Sequence, residues 1–418
     1  MGSINSRSNP APSPAGEDGE ARGMVYGVVA DSRARQSGSS WFQALRQVFP
    51  LFVIMRVVVL VGTCLSMLYM SADYSSDGKP PGVIWEAWNR LDTTAFNAIA
   101  TNGYTDLYRS AFFPLQPLLI HPFYLIMGNA FLAGLVLSNV ACLVMMVVLY
   151  RLVREDFDAE RAERTVLYLV IFPTAFFFAA AYNESLFLCL ALLSFYQMRR
   201  GRWLLAGLFG FFACLTRSAG LLLLVPFIYE YLRQREFQVK RIHFDIGSAA
   251  LFPLGIGLFA LYCFLQLGDL LAFSHAQALW DRHLQWPWYG MGNSISIILR
   301  SNLLSFYSLR NLTDLIPALL VLVLLVLSFA GPWRLPRSHW SYGLYAIALY
   351  VFIQLVPVDA SRQIPLQSMG RLMLEIFPAF IVLAGIGKHR IVHWGYVLIS
   401  GQVFFFLLSQ FVTQRWMV

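Results

Sequence analysis

The sequence predicts an all-α, polytopic membrane protein, and three observations predict it. Of 418 residues, 58% are hydrophobic and 13% charged, whereas soluble domains carry about 25% charged residues. The mean hydropathy is +0.59. The apolar residues also fall in blocks approaching or reaching the roughly 20 residues that a perpendicular membrane helix needs. This pattern excludes a soluble globule, a disordered chain, a fibre and a disulfide scaffold.

Taken in order, residues 1–40 are rich in Ser, Pro, Ala, Gly and Arg and lack an apolar stretch. They are expected to be a disordered cytoplasmic tail and not a cleavable signal peptide. The opening Met1 to Ser6 fits a loosely specified myristoylation pattern. Residues 41–418 are expected to form one integral-membrane domain. Its first span runs from about Val48 to Met70. Further blocks cover about 130–152, 165–182, 184–198, 203–216, 219–232, 246–267, 311–331, 341–356, 372–387 and 391–412, for about eleven transmembrane helices. Several are short, so their ends must extend into the flanks.

The block Phe112 to Met127 carries Pro114, Pro117, Pro122, Gln116 and His121, and charge decides its reading. If it does not span, the loops at 153–164, 199–202, 233–245, 332–340 and 388–390 share a side and hold 14 Lys/Arg in 41 residues. The other side holds 10 in 128. The positive-inside rule then puts the dense set in the cytoplasm and makes 112–127 an interfacial or re-entrant helix. The net charge of +8 is thus a topology signal and not a nucleic-acid footprint.

Large non-cytoplasmic loops follow at 71–129 and 268–310. The longest internal cytoplasmic loop has 13 residues, too few for even one βαβ unit of about 30 residues. No phosphate-binding glycine motif opens a helix. ATP-driven transport and nucleotide-sugar chemistry at the cytoplasmic face therefore lose their footing. All five cysteines lie inside apolar blocks without a CxxC pair. They assign neither a disulfide nor a redox compartment.

The candidate chemistry lies on the outer side. A helix starting at Asp92 would carry Phe96 and Ile99 or Ala100 on the same flank. On spacing alone the stronger reading is an amphipathic surface helix with Asp92 as a solvated first-turn acid favoured by the helix dipole. Glu184, in Tyr182-Asn183-Glu184-Ser185, is a polar break between apolar blocks and should line a polar cavity, unless it is only a helix-start acid. The sequons at Asn183 and Asn311 hug the membrane and are expected to be unused. Arg217 and Arg371 stand at outer turns, where a lone arginine also serves as an interface anchor. Arg56, inside the first span, should pair internally. The second loop, from His275 to Trp288, gathers Gln277, Trp280, Arg282, His283, Trp286 and Trp288. His275 and His283 are eight apart and no HExxH occurs, so no metal and no cofactor are assigned.

These motifs in this order resemble the PIG-V family of mannosyltransferases and its bacterial relatives, integral-membrane glycosyltransferases of the GT-C class. The resembling segments begin with Arg90-Leu91-Asp92 through Gly103-Tyr104, and Ala111 through Pro117. Pro173 through Phe187, Thr216-Arg217, Gln277 to Pro287-Trp288, and Ser368 to Arg371 with Phe377-Pro378 complete the set. Leu91 stands where the family usually has an aromatic, and Asn183 where Ser or Thr is commoner.

The resemblance implies a GT-C-like fold and an inverting transfer, typically of mannose, from a polyprenyl-phosphate donor to a lipid, glycan or protein acceptor. It places the reactive carboxylate at Asp92, a second acid at Glu184 and phosphate-binding arginines at Arg217 and Arg371. Arg90, His275, Gln277, Trp280 and Arg282 are assigned to substrate binding. A polyprenyl phosphate leaves as a stable anion, so one base suffices. The short loops favour a bacterial inner membrane over the endoplasmic reticulum, with the site on the non-cytoplasmic side. The competing readings are an outer-leaflet polysaccharide polymerase and a lipid or solute transporter; no inverted repeat supports the latter.

Overall fold

The computed structural model describes residue 2 and residues 18–69 and 81–415, with side chains over 41–69 and 82–415. The chain divides into a unit of residues 1–47 and a unit of residues 48–418. Of the expected tail, residues 1 and 3–17 lie outside the described residues, as does most of the myristoylation pattern. Residues 18–40 have helical backbone, within Asp18–Tyr69. Among the described residues the structure is all helix and loop, with a single isolated bridge between Arg282 and Val358.

Among the described residues five helices are long and apolar enough to cross a membrane: Trp41–Tyr69, Ala130–Asp156, Phe244–Leu267, Phe306–Phe329 and Arg390–Val412. A sixth span arises if Met369–Glu375 and Phe377–Ile386, bent by 81°, count as one. The remaining blocks of the expected eleven form shorter helices, among them Glu184–Arg199, Trp203–Thr216 and Trp340–Gln354. The 112–127 block becomes the 13-residue helix Leu115–Met127. At 1.5 Å per residue it is about 20 Å long, short of a hydrocarbon core of about 30 Å.

Within the larger unit, close approach is set by small residues. A Cβ on Gly210 would fall 2.0 Å from the Phe252 ring, and one on Gly255 would fall 2.7 Å from the Phe211 carbonyl. The helices Trp203–Thr216 and Leu251–Leu267 can therefore meet almost backbone to backbone, the usual solution where lipid gives no hydrophobic drive to association. Polar ties fix the short helices. Ser138 Oγ and Gln116 Nε2 donate to the Tyr182 carbonyl at 2.8 and 3.3 Å. His121 Nδ1 lies 2.7 Å from the Ala100 carbonyl.

The five basic loops gather at one end. Arg199 reaches Asp156, Glu230 and the Ser338 carbonyl, joining four helix ends. Arg161 and Arg164 donate to the Ile381 and Ala384 carbonyls at 2.9 and 3.0 Å. Segments of both large loops, with 216–219 and 367–375, meet elsewhere, around one cavity. Arg56 donates to the Phe178 carbonyl at 3.2 Å and lies over the Phe52 ring, an internal partner for a costly cation.

Candidate active site

The cavity encloses about 930 Å³, within the range of small-ligand sites. Asp92 opens the helix Asp92–Asn102, whose inner face buries Phe96, Ile99 and Ala100. The preceding Leu91 has φ +53°, a conformation that a γ-branched residue adopts only under constraint. That constraint is supplied on both sides. Trp88 Nε1 donates to Thr63 Oγ1 at 3.3 Å, and Arg90 Nη1 donates to the Phe411 carbonyl at 2.5 Å. The Arg90 guanidinium also lies 5.3 Å from the Phe411 ring centroid. Burial lowers its pKa. Arg90, assigned to substrate binding from the sequence, is not among the residues lining the cavity; here it fastens the loop to the Arg390–Val412 helix.

Arg371 is the hub. Its side chain is 7% exposed, with Nε donating to Glu184 Oε1 and Nη2 to Asp92 Oδ2. Phe177 and Tyr182 present their rings 5.0 and 4.6 Å from the guanidinium carbon, so desolvation is offset by two carboxylates and two π faces. The turn that delivers Arg371 is held at the Gly370 peptide. Its N–H donates to Asp314 Oδ1 at 2.9 Å, and its carbonyl accepts from Thr174 Oγ1 at 2.9 Å. Asp314 is in turn paired with Arg310 at 2.8 Å.

Glu184 starts the helix Glu184–Arg199 and is fully buried. Its Oε1 also accepts from Arg217 Nη1 at 3.2 Å, while Oε2 has no partner among the described residues. Arg217, at the end of Trp203–Thr216, bridges Glu184 and Glu375. The chain of charges thus runs Asp92, Arg371, Glu184, Arg217, Glu375. Asp92 is its open end, 27% exposed, while Glu184 and Glu375 are closed off.

Of the sequence-assigned residues, Asp92, Arg217, His275, Gln277, Trp280, Arg282 and Arg371 line the cavity. Glu184 sits behind Arg371 and Arg217. Arg282 donates to the Val356 and Gln367 carbonyls at 3.2 and 3.0 Å. Desolvation, with the Arg371 charge adding to it, pushes its guanidinium down to about 10. Trp280 lies 5.1 Å from Tyr108, ring to ring, and burial with Asp92 nearby raises the Tyr108 phenol. His275 Nδ1 is 2.7 Å from Asp269 Oδ2 on the rim. Trp286 and Trp288 stack on each other, exposed, away from this cavity. Both sequon asparagines are buried, bonded to the Thr216 carbonyl and to the Tyr307 and Gln363 carbonyls respectively.

Sequence reasoning missed Glu375 and Asp314. Each is an acid inside an apolar stretch, and the cost of such a placement was the available signal that a basic partner waits nearby. Among the described residues no group of three or more His, Cys, Asp or Glu could hold a metal ion; guanidinium groups stand between the carboxylates.

Residues 113–259 match the family described as dolichyl-phosphate-mannose-protein mannosyltransferase. A GPI mannosyltransferase 2 from Yarrowia lipolytica (strain CLIB 122 / E 150) is 34% identical over 98 residues, which cover 23% of this chain and 28% of that relative. Among solved structures, ArnT from Cupriavidus metallidurans bound to undecaprenyl phosphate aligns with a TM-score of 0.49 at 16% identity. That alignment covers 83% of this chain and 62% of ArnT. An oligosaccharyltransferase from Archaeoglobus fulgidus, in complex with zinc and sulfate, aligns with a TM-score of 0.37 at 13% identity over 86% of this chain and 52% of that one. The family match and the curated relative agree with the resemblance to mannosyltransferases: over residues 113–259 the chain is similar to that family, and it spans about a quarter of the length of the curated relative.

Proposed function

We propose that the protein is a glycosyltransferase that moves a sugar, mannose in the first instance, from a polyprenyl-phosphate donor to a lipid, glycan or protein acceptor. The reaction takes place with inversion, on the non-cytoplasmic face of a bacterial inner membrane. The observation that carries this reading is the guanidinium pair Arg371 and Arg217, held among Asp92, Glu184 and Glu375 on the wall of one aromatic-lined cavity.

In this reading the donor phosphate enters beside Arg371, Arg217 and Arg282, whose charges converge on the cavity. A phosphate is a bidentate match for a guanidinium. It competes with Asp92 for Arg371 Nη2 while Glu184 keeps hold of Nε, so Arg371 stays in place and Asp92 is let go. The released carboxylate then takes the proton of the acceptor hydroxyl. The acceptor oxygen bonds to the anomeric carbon as the carbon–oxygen bond to phosphate breaks, and the electron pair leaves with the polyprenyl phosphate. One displacement inverts the anomeric centre. The donor itself unmasks the base, so the donor binds first and the acceptor second. No step is assigned to a divalent metal.

The test is purified protein in lipid nanodiscs given radiolabelled polyprenyl-phosphate mannose, with membrane extract as acceptor source. Donor consumption with stoichiometric release of polyprenyl phosphate, persisting in excess chelator, is expected. A protein that neither binds nor consumes the donor overturns the reading.

A further inference from the structure

The second large loop is built inside out over its central stretch. Leu284, Trp286, Trp288, Leu299 and Leu304 are each at least 65% exposed, a contiguous run of large apolar side chains of the kind that marks an interaction surface. The helix Tyr289–Arg300 buries Gly290 and Ser294, four positions apart and hence on one face. A Cβ on Gly290 would fall 2.8 Å from Leu366 Cδ2, and Ser294 Oγ donates to Asn311 Oδ1 at 2.9 Å. Small and polar residues thus meet the protein, while Ile295 and Leu299, also four apart, are exposed. A helix on a water-facing surface shows the reverse arrangement.

Three further observations say what covers this face. It continues through exposed Leu303 and Leu304 into Phe306–Phe329, one of the helices long and apolar enough to span. Trp286 and Trp288 stack with ring centroids 5.9 Å apart, and tryptophan is enriched where a bilayer meets water. Residues 282–313 contain no Asp or Glu. Exposed Arg300, at the end of the helix, has no carboxylate partner among the described residues, which suits it to lipid phosphates. At 1.5 Å per residue the helix is about 18 Å long, too short to cross a hydrocarbon core of about 30 Å.

We propose that residues 284–306 are an interfacial anchor, lying in the bilayer surface beside the span Phe306–Phe329, with the Trp286–Trp288 pair and Leu299 set into the headgroup–acyl boundary. The anchor is independent of the transferase reading. Its start is fastened by the Gln285 N–H, which donates to the Leu355 carbonyl at 2.8 Å, and the three residues before Gln285 line the cavity that holds Asp92. The leaflet therefore sets the depth at which that cavity's rim stands.

The test uses the full chain in phosphatidylcholine nanodiscs. Subtracting the emission of Trp286→Phe/Trp288→Phe isolates the pair from the other tryptophans. Lipid brominated near the top of its acyl chains should remove most of this difference emission, and aqueous iodide little of it. Iodide quenching without bromolipid quenching overturns the proposal, because the pair then faces water. Protection from both also overturns it, because another protein surface, a second copy of this chain first of all, then covers the face. Independently, a nitroxide attached through Leu299→Cys, read against the unaltered chain as labelling background, should sit roughly 5 to 10 Å into the bilayer and meet oxygen more than a water-soluble nickel chelate. The opposite ranking overturns the placement of the helix.

Discussion

Arg371 and Asp92 lie 279 positions apart in the chain, yet guanidinium Nη2 sits 2.5 Å from carboxylate Oδ2. The contact ties the first large loop to the turn before Phe377–Ile386 and leaves the most accessible acid of the charge chain occupied by a cation. Asp92→Asn removes both the proton acceptor and the competitor for Arg371. Turnover should fall about 100-fold to 10,000-fold, while donor affinity holds or rises. Equilibrium binding of polyprenyl phosphate alongside single-turnover transfer measures both; normal transfer would end the assignment of Asp92 as base.

Arg371→Lys keeps a charge but cannot serve Glu184 and Asp92 with two separate nitrogens. Donor affinity should fall about 10-fold to 100-fold. The Tm should drop as well, because one buried acceptor loses its partner at a cost of about 1 to 3 kcal/mol. Glu184→Gln should cost less in turnover than Asp92→Asn if Glu184 only holds Arg371. A dead Glu184→Gln with an active Asp92→Asn would move the base to Glu184.

Arg90→Ala separates anchoring from substrate binding. Loss of its bond to the Phe411 carbonyl should lower stability by about 2 kcal/mol, read as the denaturant midpoint in detergent, and lower kcat through a looser Leu91–Asp92 turn. The donor dissociation constant should stay within about twofold. A large rise in that constant with unchanged stability would return Arg90 to the binding surface.

The rim pair has a defined pH window. The His275 hydrogen bond holds Asp269 below the usual carboxylate range. A depressed carboxylate contributes above its unfolded pKa of about 4 and loses that contribution as pH falls through its lower folded value. The protection factors of the 272–280 amides, with the intrinsic pH dependence of exchange divided out, should therefore be flat above about pH 4 and fall below it. Asp269→Asn should show the lower protection already at neutral pH.

Much of this was legible in the sequence because lipid imposes strong rules. Apolar blocks announced the helices, and Asp92, Glu184, Arg217 and Arg371 stood out as charges that such blocks exclude. Their joining into one charge chain at a cavity wall was not legible, since it depends on the Gly370 peptide being gripped by Thr174 and Asp314. The placement of Arg90 was not legible for a related reason: an arginine two residues from Asp92 can face either way, and its bond to the distant Phe411 carbonyl is a tertiary contact. Helix lengths were the least readable feature. Blocks such as 165–182 read as continuous apolar stretches, yet the chain leaves the α-helix at Val170 and forms a 3-10 turn at Ala175–Phe178, which places Phe177 against Arg371.

Phe411 touches Trp88, Phe176 and Phe177 with its ring and holds Arg90 with its carbonyl. During synthesis the loop bearing Asp92 is made long before this residue. Its floor therefore forms only once the Arg390–Val412 helix has been made and packed, so a chain cut before Phe411 would leave Trp88 and Arg90 without this partner and the Leu91–Asp92 turn without its anchor.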